Sequence, residues 1–154
     1  MVDLFADVPE ETVENTLQTI RRNLGRVGLY GGHTLRRHTD IQVLALKTRL
    51  TKEDILYATS YWDKDVADAV VKGIMQRFFD SNIIRWLRYS GSDYISLIGH
   101  FPETVGYGFR KGEETLEENL RKARLVLVKD READWGFRIL TSYPVFERQE
   151  KWCG

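Results

Sequence analysis

The feature that most constrains this chain is a change of periodicity at Ser90-Gly91. Ahead of it, apolar residues recur every three or four positions, as in helices buried along one side; behind it they alternate, as in strands with one face inward. Helices first and strands second indicate an α+β fold, with N-terminal helices packed on a C-terminal antiparallel β-sheet. The 154 residues, 42% of them hydrophobic, suffice for a single domain with its own core. Its expected parts are a helical segment over 1–23, a main body over 24–144 and a polar, frayed tail over 145–154.

In the helical half, Pro9 followed by Glu10 and Glu11 opens a helix, with acids at the positive end of its dipole. Val13, Leu17, Ile20 and Leu24 form its apolar stripe, and Gly25 ends it. Thr39 and Gln42 form a capping box for a helix with Ile41, Leu44, Ala45 and Thr48 on one side. Thr51 with Asp54 predicts another short helical start. Residues 58–61 are short and β-prone. From Asp63 runs the longest helical pattern, with Val66, Ala69, Val70, Ile74 and Phe78 on one face; Ile83, Trp86 and Leu87 continue it past a break at Ser81-Asn82.

Strands are predicted over 94–98, 104–109, 124–129 and 135–143. Pro102 and the acidic cluster at 130–134 mark turns, and His100 is exposed in a turn. Glu113, Glu114, Glu117 and Glu118 read as an acidic insertion, a helical or mobile surface loop. Alternation in the last strand places Phe137, Ile139, Thr141 and Tyr143 on one face, so that two hydroxyls follow an apolar stretch.

Charge balances overall, 23 basic against 23 acidic residues, yet its distribution is uneven. Every charge from 1 to 14 is acidic and nearly every one from 15 to 50 is basic, which permits a local basic face on a neutral molecule. One cysteine, Cys153, excludes an intramolecular disulfide and a cysteine-based metal site. The N-terminus has no signal-peptide pattern, and no stretch is long and apolar enough to span a membrane, so a soluble protein is expected.

The candidate functional residues gather before residue 50. His33 and His38 lie among Arg36, Arg37, Lys47 and Arg49, with Asp40 the only acid. Imidazoles that titrate near neutrality, set among guanidiniums that fork toward phosphoryl oxygens, suit proton transfer beside a phosphate. The competing reading is a charged surface helix, with His33 bracing the Gly31-Gly32 turn and Arg49 closing a helix. Five positions apart, the histidines diverge by roughly 140° on a continuous helix, unlike the paired ligands of a zinc helix. No metal and no cofactor are expected.

Gly31-Gly32-His33-Thr34-Leu35, Arg37-His38 and Arg49-Leu50 resemble the signature of the bacterial ribonuclease A-like toxin domain. That domain is found at the C-termini of contact-dependent growth inhibition proteins and related polymorphic toxins. The resemblance continues through Ala58-Thr59-Ser60-Tyr61, residues 84–87 and Leu140-Thr141-Ser142-Tyr143-Pro144, covering about 24–144 in the expected order. Val13-Glu14-Asn15 is similar to the Val-Glu-Asn-Asn junction that precedes such modules, with Thr16 in the fourth place. Thr39-Asp40 stands where an apolar residue and glycine are usual, and Tyr61-Trp62 where a single aromatic is.

The resemblance implies a ribonuclease A-like fold without disulfides and a metal-independent endoribonuclease. It carries the catalytic set onto His38, Arg49, Thr141 and Tyr143, with His33 also in the motif; Arg36 and Arg37 would bind the substrate. Cleavage without metal needs a base for the 2′-OH proton, groups that stabilise the phosphorane and an acid for the leaving 5′-oxygen, and yields a 2′,3′-cyclic phosphate. A histidine can make either transfer, and either His33 or Tyr143 can be the second proton carrier. RNA, not DNA, is the expected substrate. The resemblance further implies delivery from a secreted or cell-surface toxin into a target-cell cytoplasm, and a cognate immunity protein. Two other functions fit the same scaffold: a non-catalytic module binding RNA or protein through the basic face, and a phosphodiesterase acting on small nucleotides.

Overall fold

The computed structural model describes residues 8–23, 40–133 and 135–147. Helix α1 (Glu10–Asn23) opens as its sequence predicts: the Val13 N–H donates to the Pro9 carbonyl at 3.1 Å, with acids in the first turn and Arg21 and Arg22 in the last. Its buried stripe is Val13, Leu17 and Ile20; Leu24 and Gly25 lie outside the described residues.

Helix α2 (Val43–Lys52) turns a different face inward from the expected one. Leu46 and Leu50 are buried, whereas Leu44 is 75% exposed and Ala45 and Thr48 also face solvent. Two leucines four apart bury more apolar area than Ala45 and Thr48 can, and Thr48 turns its hydroxyl back to the Leu44 carbonyl at 2.9 Å. Gln42 is the N-cap but makes no side-chain capping bond, and Thr39, the other half of the expected capping box, lies outside the described residues. The approach to the helix is held by the neighbouring strand instead: the Asp40 N–H donates to the Tyr61 carbonyl and the Ile41 N–H to Ser60 Oγ, each at 2.9 Å. Thr51 does not begin a new helix. It lies within α2, which Glu53 closes by donating its N–H to the Arg49 carbonyl.

Strand β1 (Tyr57–Tyr61) leads to helix α3 (Lys64–Phe78), capped by the Asp63 carboxylate, which accepts from the Val66 N–H at 2.8 Å. Its buried residues are Ala67, Val70, Val71, Ile74 and Met75; Ala69 is exposed and Val66 and Phe78 half-buried. The stripe is rotated from the expected one because Val71 and Met75 fill core volume that an alanine cannot. At Ser81-Asn82 the helix does not break. A π-helical turn (Phe79–Ile83) carries it into α4 (Ile84–Tyr89), and the wider turn lets both Phe79 and Ile83 point inward.

Two antiparallel sheets follow. One has the order β1, β3 (Gly106–Arg110), β4 (Glu117–Leu120); the other has β2 (Tyr94–His100), β5 (Lys122–Lys129), β6 (Phe137–Val145). Strand β4 corrects the reading of the acidic stretch as a helical or mobile loop. Glu117 and Glu118 belong to a short edge strand with only Leu120 buried, and charged side chains suit an unpaired edge.

The larger hydrophobic cluster packs α1, α3, the π turn and α4 against the inner face of β2, β5 and β6. Arg88 of α4 bonds both Glu10 and Glu14 and lashes α1 in place. The smaller cluster packs Leu46 and Leu50 of α2 on Ala58, Tyr107 and Phe109 of β1 and β3.

Candidate active site

Strands β1 and β6 come from different sheets and meet along a polar seam. Thr59 Oγ1 donates to the Pro144 carbonyl at 2.6 Å. The Tyr61 hydroxyl lies 2.6 Å from Ser142 Oγ, which in turn donates to the Arg124 carbonyl at 2.8 Å. A serine hydroxyl carries one proton, so Tyr61 must be the donor to Ser142. Burial pushes the Tyr61 phenol far above its ordinary pKa; the bond with Ser142 draws it back, and nearby Tyr143 raises it further. Tyr61 is therefore a fixed neutral donor. Gly106 makes the approach possible: a Cβ there would fall 2.1 Å from the Ser60 carbonyl oxygen and 2.7 Å from Pro144 Cγ.

Strand β6 does not keep the simple alternation expected of it. Ile139 pairs with Leu127 and Thr141 with Val126, leaving Leu140 as an extra residue in a bulge. One extra residue exchanges the faces of everything beyond it. Phe137 and Ile139 consequently face the helices, paired with Lys129 and Leu127, while Thr141 and Tyr143 stand on the opposite face beside Val126 and Arg124. The four do not share a face. The two hydroxyls do, about 7 Å apart along the strand. Both residues are half-buried, and among the described residues nothing hydrogen-bonds the Thr141 hydroxyl.

Arg49 lies half-buried in the last turn of α2, its Nε donating to Glu53 Oε2 at 2.9 Å. Its described bond is thus to Glu53, not to Thr141 or Tyr143. The link between them is indirect: α2 rests on β1, and β1 is clamped to β6 at the seam. His33, Arg36, Arg37 and His38 lie outside the described residues. Just after them, Asp40 and Ile41 are pinned to β1 as above, and the Ile41 carbonyl also accepts from the Tyr107 hydroxyl at 2.6 Å.

Sequence reasoning missed Glu53, the pair Tyr61 and Ser142, and the part played by Gly106. A signal existed for Tyr61, since Thr59 and Tyr61 alternate in a short strand and place two hydroxyls on one face. Nothing in the sequence ties that face to a serine 81 positions later. Among the described residues no group of three or more His, Cys, Asp and Glu side chains could hold a metal ion, and no helix is long and apolar enough to cross a membrane.

Helices packed on an antiparallel sheet, a second small sheet and a chain with one cysteine define an α+β protein of the ribonuclease A-like class, built without disulfides. The fold is similar to that in the crystal structure of a CdiA-CT/CdiI complex from Y. kristensenii 33638, with a TM-score of 0.69 and 23% sequence identity over 74% of this chain and 99% of that one. The sequence model of the bacterial CdiA-CT RNase A domain matches residues 32–144, and the chain belongs to that family of ribonuclease toxin domains. The resemblance read from the motifs is borne out. A comparison with curated proteins gives no match.

Proposed function

We propose that this chain is a metal-independent endoribonuclease that cleaves RNA by attack of the 2′-OH on the adjacent phosphorus, leaving a 2′,3′-cyclic phosphate. The observation that carries the reading is the family match over 32–144, which spans every candidate residue from His33 to Tyr143. The chemistry of the residue types supports it. His38 takes the 2′-OH proton, and either His33 or Tyr143 protonates the 5′-oxygen. Arg49 stabilises the phosphorane, Thr141 and Tyr143 donate to its non-bridging oxygens, and Arg36 and Arg37 hold the RNA backbone. The similar fold from Y. kristensenii was crystallised with CdiI; for this chain we infer a cognate immunity protein that covers the same residues. Delivery from a secreted or cell-surface toxin into the target-cell cytoplasm completes the reading.

The test is incubation of the purified protein with total RNA, with and without EDTA, beside an all-DNA oligonucleotide. RNA should be degraded equally in chelator, DNA should stay intact, and mass spectrometry should find 2′,3′-cyclic phosphate ends. Loss of activity in chelator or efficient cutting of DNA would defeat the mechanism. Binding without cleavage would make the chain a binding module, and turnover of small cyclic esters alone a different phosphodiesterase.

A further inference from the structure

The face of the β2–β5–β6 sheet that bears Thr141 and Tyr143 bears a cation with no role so far. Arg124 is the cross-strand partner of Tyr143. Paired residues of an antiparallel ladder stand side by side on one face, with β-carbons about 5 Å apart. On its other flank Arg124 Nη1 donates to Ser96 Oγ at 2.7 Å, and Ser96 pairs with Val126, the partner of Thr141. The four polar residues Ser96, Arg124, Thr141 and Tyr143 thus form one patch across three strands.

Among the described residues, no carboxylate compensates the charge of Arg124. Its Nε is closed off from solvent and has no hydrogen-bond partner. Among the described residues no carboxylate pairs with it, whereas Arg21, Arg49, Arg88, Arg110 and Arg138 each have one. The paired positions on this face add Tyr94, Ile98 and His100 from β2, Lys122 and Val128 from β5, and Arg138 and Val145 from β6, with no acid among them. A half-buried guanidinium has lost hydration, and one neutral hydroxyl repays little of it; an arriving anion would repay far more. The residue is also well fixed, because its carbonyl ends the Tyr61–Ser142 relay.

We propose that Arg124 is a phosphate-binding residue of this site. The Nη N–H groups that Ser96 leaves unengaged, and not the enclosed Nε, hold the non-bridging oxygens of the RNA phosphate that Thr141 and Tyr143 flank. The proposal rests on the ribonuclease reading above and adds a residue to it. It also separates two arginines by duty: Arg49 is partly neutralised by Glu53, while Arg124 offers its whole charge in a planar fork.

The experiment uses an RNA oligonucleotide with 2′-fluoro in place of each 2′-OH, which binds but cannot be cleaved, titrated by fluorescence anisotropy over a series of salt concentrations. Arg124→Gln should bind at least about tenfold more weakly, and its log–log salt slope should shrink by about 0.7, one phosphate contact on a single strand. Arg124→Lys should keep the slope and recover part of the affinity, and Ser96→Ala should weaken binding about threefold. Arg77→Gln, on the exposed side of α3, is the control and should change neither affinity nor slope by as much. A folded Arg124→Gln that binds with wild-type affinity and slope overturns the proposal. If that variant does not fold, Arg124→Lys and Ser96→Ala decide, and wild-type affinity in both overturns it. Cleavage of unmodified RNA by the wild type is scored separately: its absence removes the ribonuclease reading, while its presence beside an indifferent Arg124 removes only this inference.

Discussion

The two hydrophobic clusters differ in more than size. The larger one is closed by three α-helices and the π turn against a whole sheet face, and ion pairs from Arg88 brace it from outside. The smaller one rests on five buried side chains, two from α2 and three from the strands beneath it. Thr141 and Tyr143 are carried on the sheet of the first, and Arg49 on the helix of the second. What connects them is neither core but the hydrogen-bonded seam of β1 on β6, where Gly106 admits the close approach. The site proposed above, divided in this way, would depend on a few polar contacts for its geometry, while bulk stability comes from elsewhere.

The largest effects should appear when the proposed proton carrier and the arginine proposed to stabilise the phosphorane are removed. His38→Ala and Arg49→Ala are each expected to lower RNA cleavage on the order of 10³-fold, with thermal midpoints little changed, because neither change removes an apolar core side chain. The double variant should be scarcely worse than either single, as for groups serving one transition state. Single-turnover rates decide the matter. Multiplicative losses would say that the two act separately, with Arg49 only holding RNA. Full activity in His38→Ala would move its role to His33.

On the other side of the seam, Tyr143→Phe should slow cleavage about 10²-fold, the usual cost of a lost transition-state hydrogen bond, and should leave the melting temperature unchanged because the ring still packs. An unaltered rate would reduce Tyr143 to a packing residue and leave Thr141 without a partner.

The larger cluster was the more legible in sequence. Val13, Leu17 and Ile20 recur at helical spacing and are buried together, and Asp63 caps α3 as its position suggests. In the smaller cluster the same reasoning chose Leu44 over Leu46, because so short a helix offers two apolar stripes and only β1 and β3 select between them. Strand β4 was hidden by its glutamates, which are poor strand formers but good edge residues. The bulge at Leu140 was unreadable, since the residues around it alternate well enough for a straight strand. Arg49, Thr141 and Tyr143 were proposed through family resemblance. Their shared dependence on the seam was not, because it joins residues far apart in the chain.

The seam itself predicts an asymmetry. Ser142→Ala removes the acceptor of a buried phenol and leaves an orphaned donor, at a cost of about 1–3 kcal/mol. Tyr61→Phe removes the donor while Ser142 keeps its bond to the Arg124 carbonyl, and should cost about 1 kcal/mol. Chemical denaturation of both variants tests the order. A reversed order would mean that the relay runs from Ser142 to Tyr61.

The smallest effect lies at alkaline pH and reports whether the seam is dry. Burial raises the pKa of the Tyr61 phenol in the folded protein, whereas the unfolded chain releases that proton near the ordinary value of about 10. Below that value both states hold the proton, and Tyr61 adds nothing to the pH dependence. Above it the folded state binds more protons than the unfolded, so stability falls as pH rises, and the fall ends only when the buried phenol ionises. By pH 10.5 the loss from this one group is about 0.8 kcal/mol. Other tyrosines add their own slopes, so the quantity to measure is the difference between the wild type and Tyr61→Phe at pH 8 and pH 10.5. The variant should start less stable, and the gap should close by roughly that amount. Parallel curves would show that Tyr61 ionises as easily folded as unfolded. Water would then reach the seam, and the contacts that tie β1 to β6 would be looser than their lengths suggest.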